Sequence, residues 1–116
     1  MTVDREDIDN QDFSNLIAPG GKLSPIHPGE ILREEFMAPL GLSANALAKA
    51  LHVPANRITG IINEQRGITA DSALRLARYF GGSAEFWLSL QKDFELRTAK
   101  LQSLAVIRNE VEPRVS

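Results

Sequence analysis

The chain has 116 residues, 43% of them apolar, with a formal net charge of −2 and no cysteine. That suits one compact domain with a real core and excludes disulfides, cysteine-based metal sites and the strongly basic balance of a protein that coats nucleic acid indiscriminately. No run approaches the roughly 18 uninterrupted apolar residues of a membrane helix, and the polar start Met1-Thr2-Val3-Asp4-Arg5-Glu6-Asp7 is unlike a secretory leader, so a soluble cytoplasmic protein is expected.

Residues 1–23 set Arg5 and Lys22 against Asp4, Glu6, Asp7, Asp9 and Asp12, a local charge of −3, and finish in Pro19-Gly20-Gly21. This composition reads as a flexible acidic arm. From Ser24 onward the pattern is helical with tight punctuation. Pro28 suits a first helical turn, where its missing N–H costs nothing. Ile31, Leu32, Glu35 and Phe36 predict a first helix to about Met37, stopped by Pro39 and Gly41. Ser43 is a candidate N-cap for a second helix with an apolar face of Ala46, Leu47, Ala50 and Leu51. His52-Val53 forms a short turn, and Pro54 opens a third helix that buries Ile58, Ile61 and Ile62. Residues 63–67 read as a loop. Thr69 caps a fourth helix with Leu74, Ala77 and Phe80 inward, and Gly81-Gly82 ends it. Ser83 caps a fifth, in which Phe86, Leu90 and Phe94 repeat every four residues. Leu101 to Ile107 is apolar enough to continue that helix or to pack on a partner, and Pro113 marks a tail. Domain boundaries are expected at 1–23 for the arm, 24–100 for the globular domain and 101–116 for a C-terminal extension.

The second and third helices pass the tests for a helix-turn-helix, two short helices joined at a steep angle by a turn of three or four residues. Ala48 is the small residue where backbones approach. Leu47, Leu51, Val53, Ile58 and Ile61 are apolar at suitable offsets. His52 stands where such turns usually carry glycine, and His is among the residues enriched at positive φ. An ordinary antiparallel helical hairpin shares part of this pattern. With the isoleucines inward, the third helix offers Ala55, Asn56, Arg57, Thr59, Gly60 and Asn63, short and free of acid. Asn can pair with adenine and Arg with guanine, while Thr and Ala touch a thymine methyl. Ser43 and Asn45 at the start of the second helix, with Arg66 after the third, fit phosphate contacts. Arg75 and Arg78 fit solvent or dimer-surface charges.

Chemistry of other kinds finds little support. His27 and His52 lack a ligand pattern and fit capping or turn roles. Glu34 and Glu35 are adjacent, so a helix points them about 100° apart. Ser43, Ser72 and Ser83 sit at helix starts, where capping explains them. No catalytic residue, cofactor or metal is expected. A helix apolar on more than one side needs two burial partners, so Phe86, Trp87, Leu90 and Phe94 are candidates for a dimer interface.

The segment His27-Pro28-Gly29-Glu30-Ile31-Leu32, with Glu34-Glu35-Phe36 and Pro39-Leu40-Gly41-Leu42-Ser43, resembles the HigA/VapI antitoxin branch of the XRE (Cro/repressor-like) helix-turn-helix family. The likeness continues through Arg57-Ile58, Ile61, Arg66-Gly67-Ile68-Thr69-Ala70-Asp71, Arg75-Leu76-Ala77 and Phe80-Gly81, and ends in Glu85-Phe86-Trp87-Leu88 and Leu90-Gln91. It implies an all-α, five-helix lambda-repressor-like domain. It also implies a homodimer that binds double-stranded DNA at a palindromic operator and represses its own operon, and a ribonuclease toxin of the HigB/RelE type as partner. Carried over by position, base contacts fall on Ala55, Asn56, Arg57, Thr59 and Gly60, and phosphate contacts on Ser43, Asn45, Asn63 and Arg66. The acidic arm and the stretch after Lys100 lie outside the shared pattern. Two other functions fit the same residues: a stand-alone regulator without a toxin, and a module that neutralises a partner protein without binding DNA.

Overall fold

The computed structural model describes residues 24–115; the acidic arm lies outside them. Among the described residues there are five helical segments and no strand, in the expected order. The first opens as α1, Pro28–Ile31, continues as a π-helical stretch, Leu32–Met37, and tightens into a 3₁₀ turn, Ala38–Leu40. The others are α2, Ala44–Leu51; α3, Ala55–Ile62; α4, Ala70–Phe80; and α5, Ala84–Glu110.

Local chemistry sets most boundaries. The side chains of Ser43, Thr69 and Ser83 accept bonds from the backbone N–H groups of Ala46, Ser72 and Phe86. Each such cap satisfies one orphan donor and stabilises its helix by about 1 kcal/mol. His27 caps α1 in the same way, its Nδ1 accepting from Gly29 N at 2.8 Å. Pro28 follows at the first helical position.

Three boundaries differ from expectation. The first helix does not stop at Met37. Its turns widen, with Ala38 N–H reaching Arg33 O, and then narrow, so that Pro39 falls at the start of the 3₁₀ turn where no donor is needed. Gly41, at φ 63°, ends the segment. Pro54 is the N-cap of α3, one position before the helix proper. At the other end of the chain, α5 crosses position 100 without a break and reaches Glu110.

The core is one cluster fed by every segment: Leu32 and Met37, then Leu47, Ala48 and Leu51 of α2, Ile58 and Ile61 of α3, Ile68 of the loop that follows, Ala73 and Leu76 of α4, and Trp87 of α5. Burying each of the large aliphatic side chains contributes about 1.5–3 kcal/mol. Two expected faces are rotated. Ala46 and Ala50 of α2 are exposed while Ala48 is buried. On α4, Leu74 is 63% exposed, and Ser72, Ala73 and Leu76 form the buried stripe. A polar side chain can stand there because the Ser72 hydroxyl accepts from Thr69 Oγ1, the capping group of the same turn.

Trp87 corrects a further expectation. It is 1% exposed, enclosed by its own chain, and packs against Phe36 with ring centres 4.8 Å apart and ring planes tilted by 53°. It is therefore unavailable to a second subunit. Leu90 is partly buried against the core, and Phe94 meets the His27 ring edge-on at 4.8 Å. Of the four residues assigned to a dimer interface, only Phe86 stands largely outside, 43% exposed. The apolar surface of α5 lies further along: Leu101, Val106 and Ile107 are each about half exposed or more.

Candidate nucleic-acid interface

The angle between α2 and α3 is set by the turn. His52 adopts φ 60°, ψ 47°, the left-handed conformation that the sequence predicts there. This lets Val53 N–H reach back to Ala48 O at 3.0 Å, closing α2 while the chain reverses. Ala48 is 2% exposed, so the two helices meet closely at a residue with almost no side chain.

α3 is held from several sides. Arg33 donates through Nη1 to Ile62 O and satisfies a carbonyl at the end of α3. Gly29 lies against the same end: a Cβ added there would stand 1.8 Å from Ile61 O. Only glycine permits this approach of two backbones. The flank facing α4 carries an ion-pair cluster. Asp71 Oδ2 accepts from Arg57 Nη1 and, at 2.8 Å, from Arg75 Nε. Arg75 also donates through Nη1 to Leu51 O at the end of α2, at 2.9 Å. The bond from Arg75, followed by that from Arg57, holds the Asp71 carboxyl below its ordinary range.

What remains outward on α3 is Ala55 and Asn56, both exposed, and Thr59, half-buried, with Asn63 just past the end. Thr59 Oγ1 donates back to Asn56 O at 3.3 Å. No acid stands among these four. The rim is polar and basic. Ser43, Asn45 and Lys49 are exposed on α2, and Arg66 is exposed in the loop after α3.

Two residues assigned to the base-reading face stand elsewhere. Gly60 is buried in α3, covered by Arg66: a Cβ there would lie 2.6 Å from Arg66 Cδ. Its small size seats the Arg66 stem and does not bring the backbone to a ligand. Arg57 follows Asn56 directly, so at about 100° per residue it sits at the edge of the outward face, on the flank toward α4. There it meets Asp71. Arg75 is likewise no solvent charge but a link between α4, α3 and the end of α2. Ser43 is the N-cap of α2 and Asn45 lies in its first turn, while Asn63 closes α3 and Arg66 follows in the loop.

Of the supporting residues, Gly29, Asp71 and Gln91 belong to the segments that carry the family resemblance, with no role attached to them there, and Arg33 lies outside those segments. Gln91 Oε1 accepts from Ile68 N at 2.7 Å, and its amide packs on Gly67, tying the loop after α3 to α5. The i, i+4 spacing of Asp71 and Arg75 was the one available signal. The remaining partners are distant in sequence. Among the described residues no group of three or more His, Asp or Glu side chains is placed to hold a metal ion, and no helix is long and apolar enough to cross a membrane.

Comparison with known proteins agrees with this geometry. Residues 32–87 match the family described as Helix-turn-helix. Virulence-associated protein I of Dichelobacter nodosus is 59% identical over 93 residues, covering 77% of this chain and 86% of that protein. Antitoxin HigA-1 of Vibrio cholerae is 39% identical over 75 residues, covering 65% and 70%. Among solved structures, the Pseudomonas aeruginosa antitoxin HigA with the higBA promoter aligns with a TM-score of 0.76 at 50% identity, covering 78% of this chain and 99% of that one. The chain belongs to the XRE-type helix-turn-helix family, in the branch that holds virulence-associated protein I and the HigA antitoxins.

Proposed function

We propose that this chain is a sequence-specific DNA-binding repressor and the antitoxin of a toxin–antitoxin pair. The observation that carries the reading is the acid-free face of α3, with Ala55, Asn56 and Thr59 outward and a basic, polar rim at Arg66, Lys49, Asn45 and Ser43. Such a face suits the major groove. Asn56 pairs with an adenine edge, Ala55 and the Thr59 methyl meet thymine methyls, and the rim positions the helix on phosphates. With a net charge of −2, one copy lacks the charge for tight non-specific binding. Two copies reading half-sites about 34 Å apart on a roughly palindromic operator supply the affinity. The exposed apolar side chains of α5, Phe86 with Leu101, Val106 and Ile107, are the proposed contact between copies. The partner toxin is a basic ribonuclease of the HigB/RelE type, met by the acidic residues of segment 1–23 in the cytoplasm. No catalytic step is assigned to this chain.

The test is selection of duplexes from a random pool by the purified chain. A recovered inverted repeat with one-turn spacing of its halves is the expected result. Recovery of no preferred sequence overturns the DNA-reading role.

A further inference from the structure

Arg57 lies beside the reading face, yet it spends a donor on Asp71 Oδ2, the same oxygen that accepts from Arg75 Nε. Arg75 Nη1 in turn holds Leu51 O, the carbonyl at the end of α2. α3 and α4 therefore meet at one carboxylate, and α2 is joined to them through Arg75. The arrangement runs from α3 through Asp71 to Arg75, and from there to α2, across the gap that α2 and α3 open at their turn. Both arginine side chains are more than half covered, 30% and 40% exposed, so their stems pack as well as pair.

We propose that Asp71 is a positioning residue for base recognition: with Arg57 and Arg75 it fixes the angle at which α3 leaves α2, and so sets discrimination between DNA sequences without touching a base. The idea rests on α3 being the reading helix. Arg57 is then a strut and no reader of bases. A reading helix that rocks loses paired contacts with its preferred bases, which demand alignment. It keeps phosphate contacts, which tolerate it.

The experiment uses the full chain with Asp71→Asn, Arg57→Ala and the double variant. Each is titrated against the duplex that wild type selects from a random pool and against an unrelated duplex. Urea unfolding followed by Trp87 fluorescence is measured alongside. Expected is a loss of about tenfold in selected-duplex affinity with little change on the unrelated duplex. The double variant is no worse than the worse single one, and the unfolding midpoint hardly moves, because the shared Asp71 side chain is 55% exposed and water screens its pairs. Three results overturn the proposal. One is that Arg57→Ala alters preference at a single base pair while Asp71→Asn leaves it intact, which makes Arg57 a reader. The second is equal loss on both duplexes. The third is a loss that merely tracks unfolding. Hydrogen exchange tests the clamp without DNA: the α3 amides exchange faster in Asp71→Asn while the α5 amides do not. Unchanged exchange sinks the clamp even if DNA reading stands. A wild type that selects no duplex sinks DNA reading while the exchange result still decides the clamp.

Discussion

α3 and the far half of α5 solve opposite problems. α3 has eight residues, too few to persist alone in water. It is nonetheless fixed on every side but one: Gly29 and Arg33 at its end, Asp71 on its flank, Ile58 and Ile61 beneath. α5 has 27 residues, about 40 Å at 1.5 Å each. Its first turns bury Trp87, but its last turns leave Leu101, Val106 and Ile107 in the open. The short helix borrows its order from neighbours and presents a polar face. The long one carries its own backbone bonds and presents an apolar face that nothing among the described residues covers. On the function proposed above, the reading surface is the one held still and the pairing surface is the one merely offered.

This contrast can be broken at its strongest point first. Gly29→Ala forces a Cβ into the backbone of α3, and a loss of about 3 kcal/mol is expected in urea unfolding read by Trp87. A change below 1 kcal/mol would mean that α1 does not brace α3. On the other helix, Val106→Glu with Ile107→Glu is expected to weaken self-association by about 2 kcal/mol in sedimentation equilibrium, from lost apolar burial on both copies. The monomer's unfolding midpoint should stay in place, because both side chains are exposed. A dimer that persists places the contact elsewhere.

Smaller effects sharpen the comparison. Asn56→Ala should cost about 1–3 kcal/mol at one base pair and relax preference there alone. Arg66→Ala should weaken binding to all sequences alike and flatten the salt dependence by about one unit in the log–log slope. If the two variants behave the same, rim and face are not separate. The least effect is a pH response. Burial holds His27 below its ordinary value of 6.5, opposed by the Glu64 charge. The neutral ring is the one that accepts from Gly29 N. The unfolded chain thus binds the proton first, so this contribution is complete above pH 6.5 and declines as pH falls through 6.5 toward the folded value. His27→Asn keeps a capping acceptor and should flatten that part of the stability profile.

What could be read from the sequence follows the range of the interactions. The caps Ser43, Thr69 and Ser83 and the left-handed His52 depend on neighbours within a few residues, and their chemistry is visible in the string. The helix-turn-helix was likewise legible, since Ala48, Leu51, Ile58 and Ile61 sit within fourteen positions of one another. The errors arise where one helix meets another. Leu74 and Ser72 traded places because the rotation of α4 is decided by what it packs on. Trp87 looked like an interface residue because the helix is apolar on several sides, while Phe36, fifty-one positions earlier, closes over it. Gly60 and Arg57 were read as part of one outward strip, but the Arg66 stem and the Asp71 carboxylate claim them. No local pattern reports those contacts.

The Gln91 bridge has a mechanical consequence. Its carboxamide is bonded to Ile68 N–H and packs on Gly67, so the stretch that carries Arg66 must break that bond to shift against α5. Rotation of α5 about its own axis would strip Ile68 N–H of its acceptor, so the rim arginine shares its anchorage with the long helix.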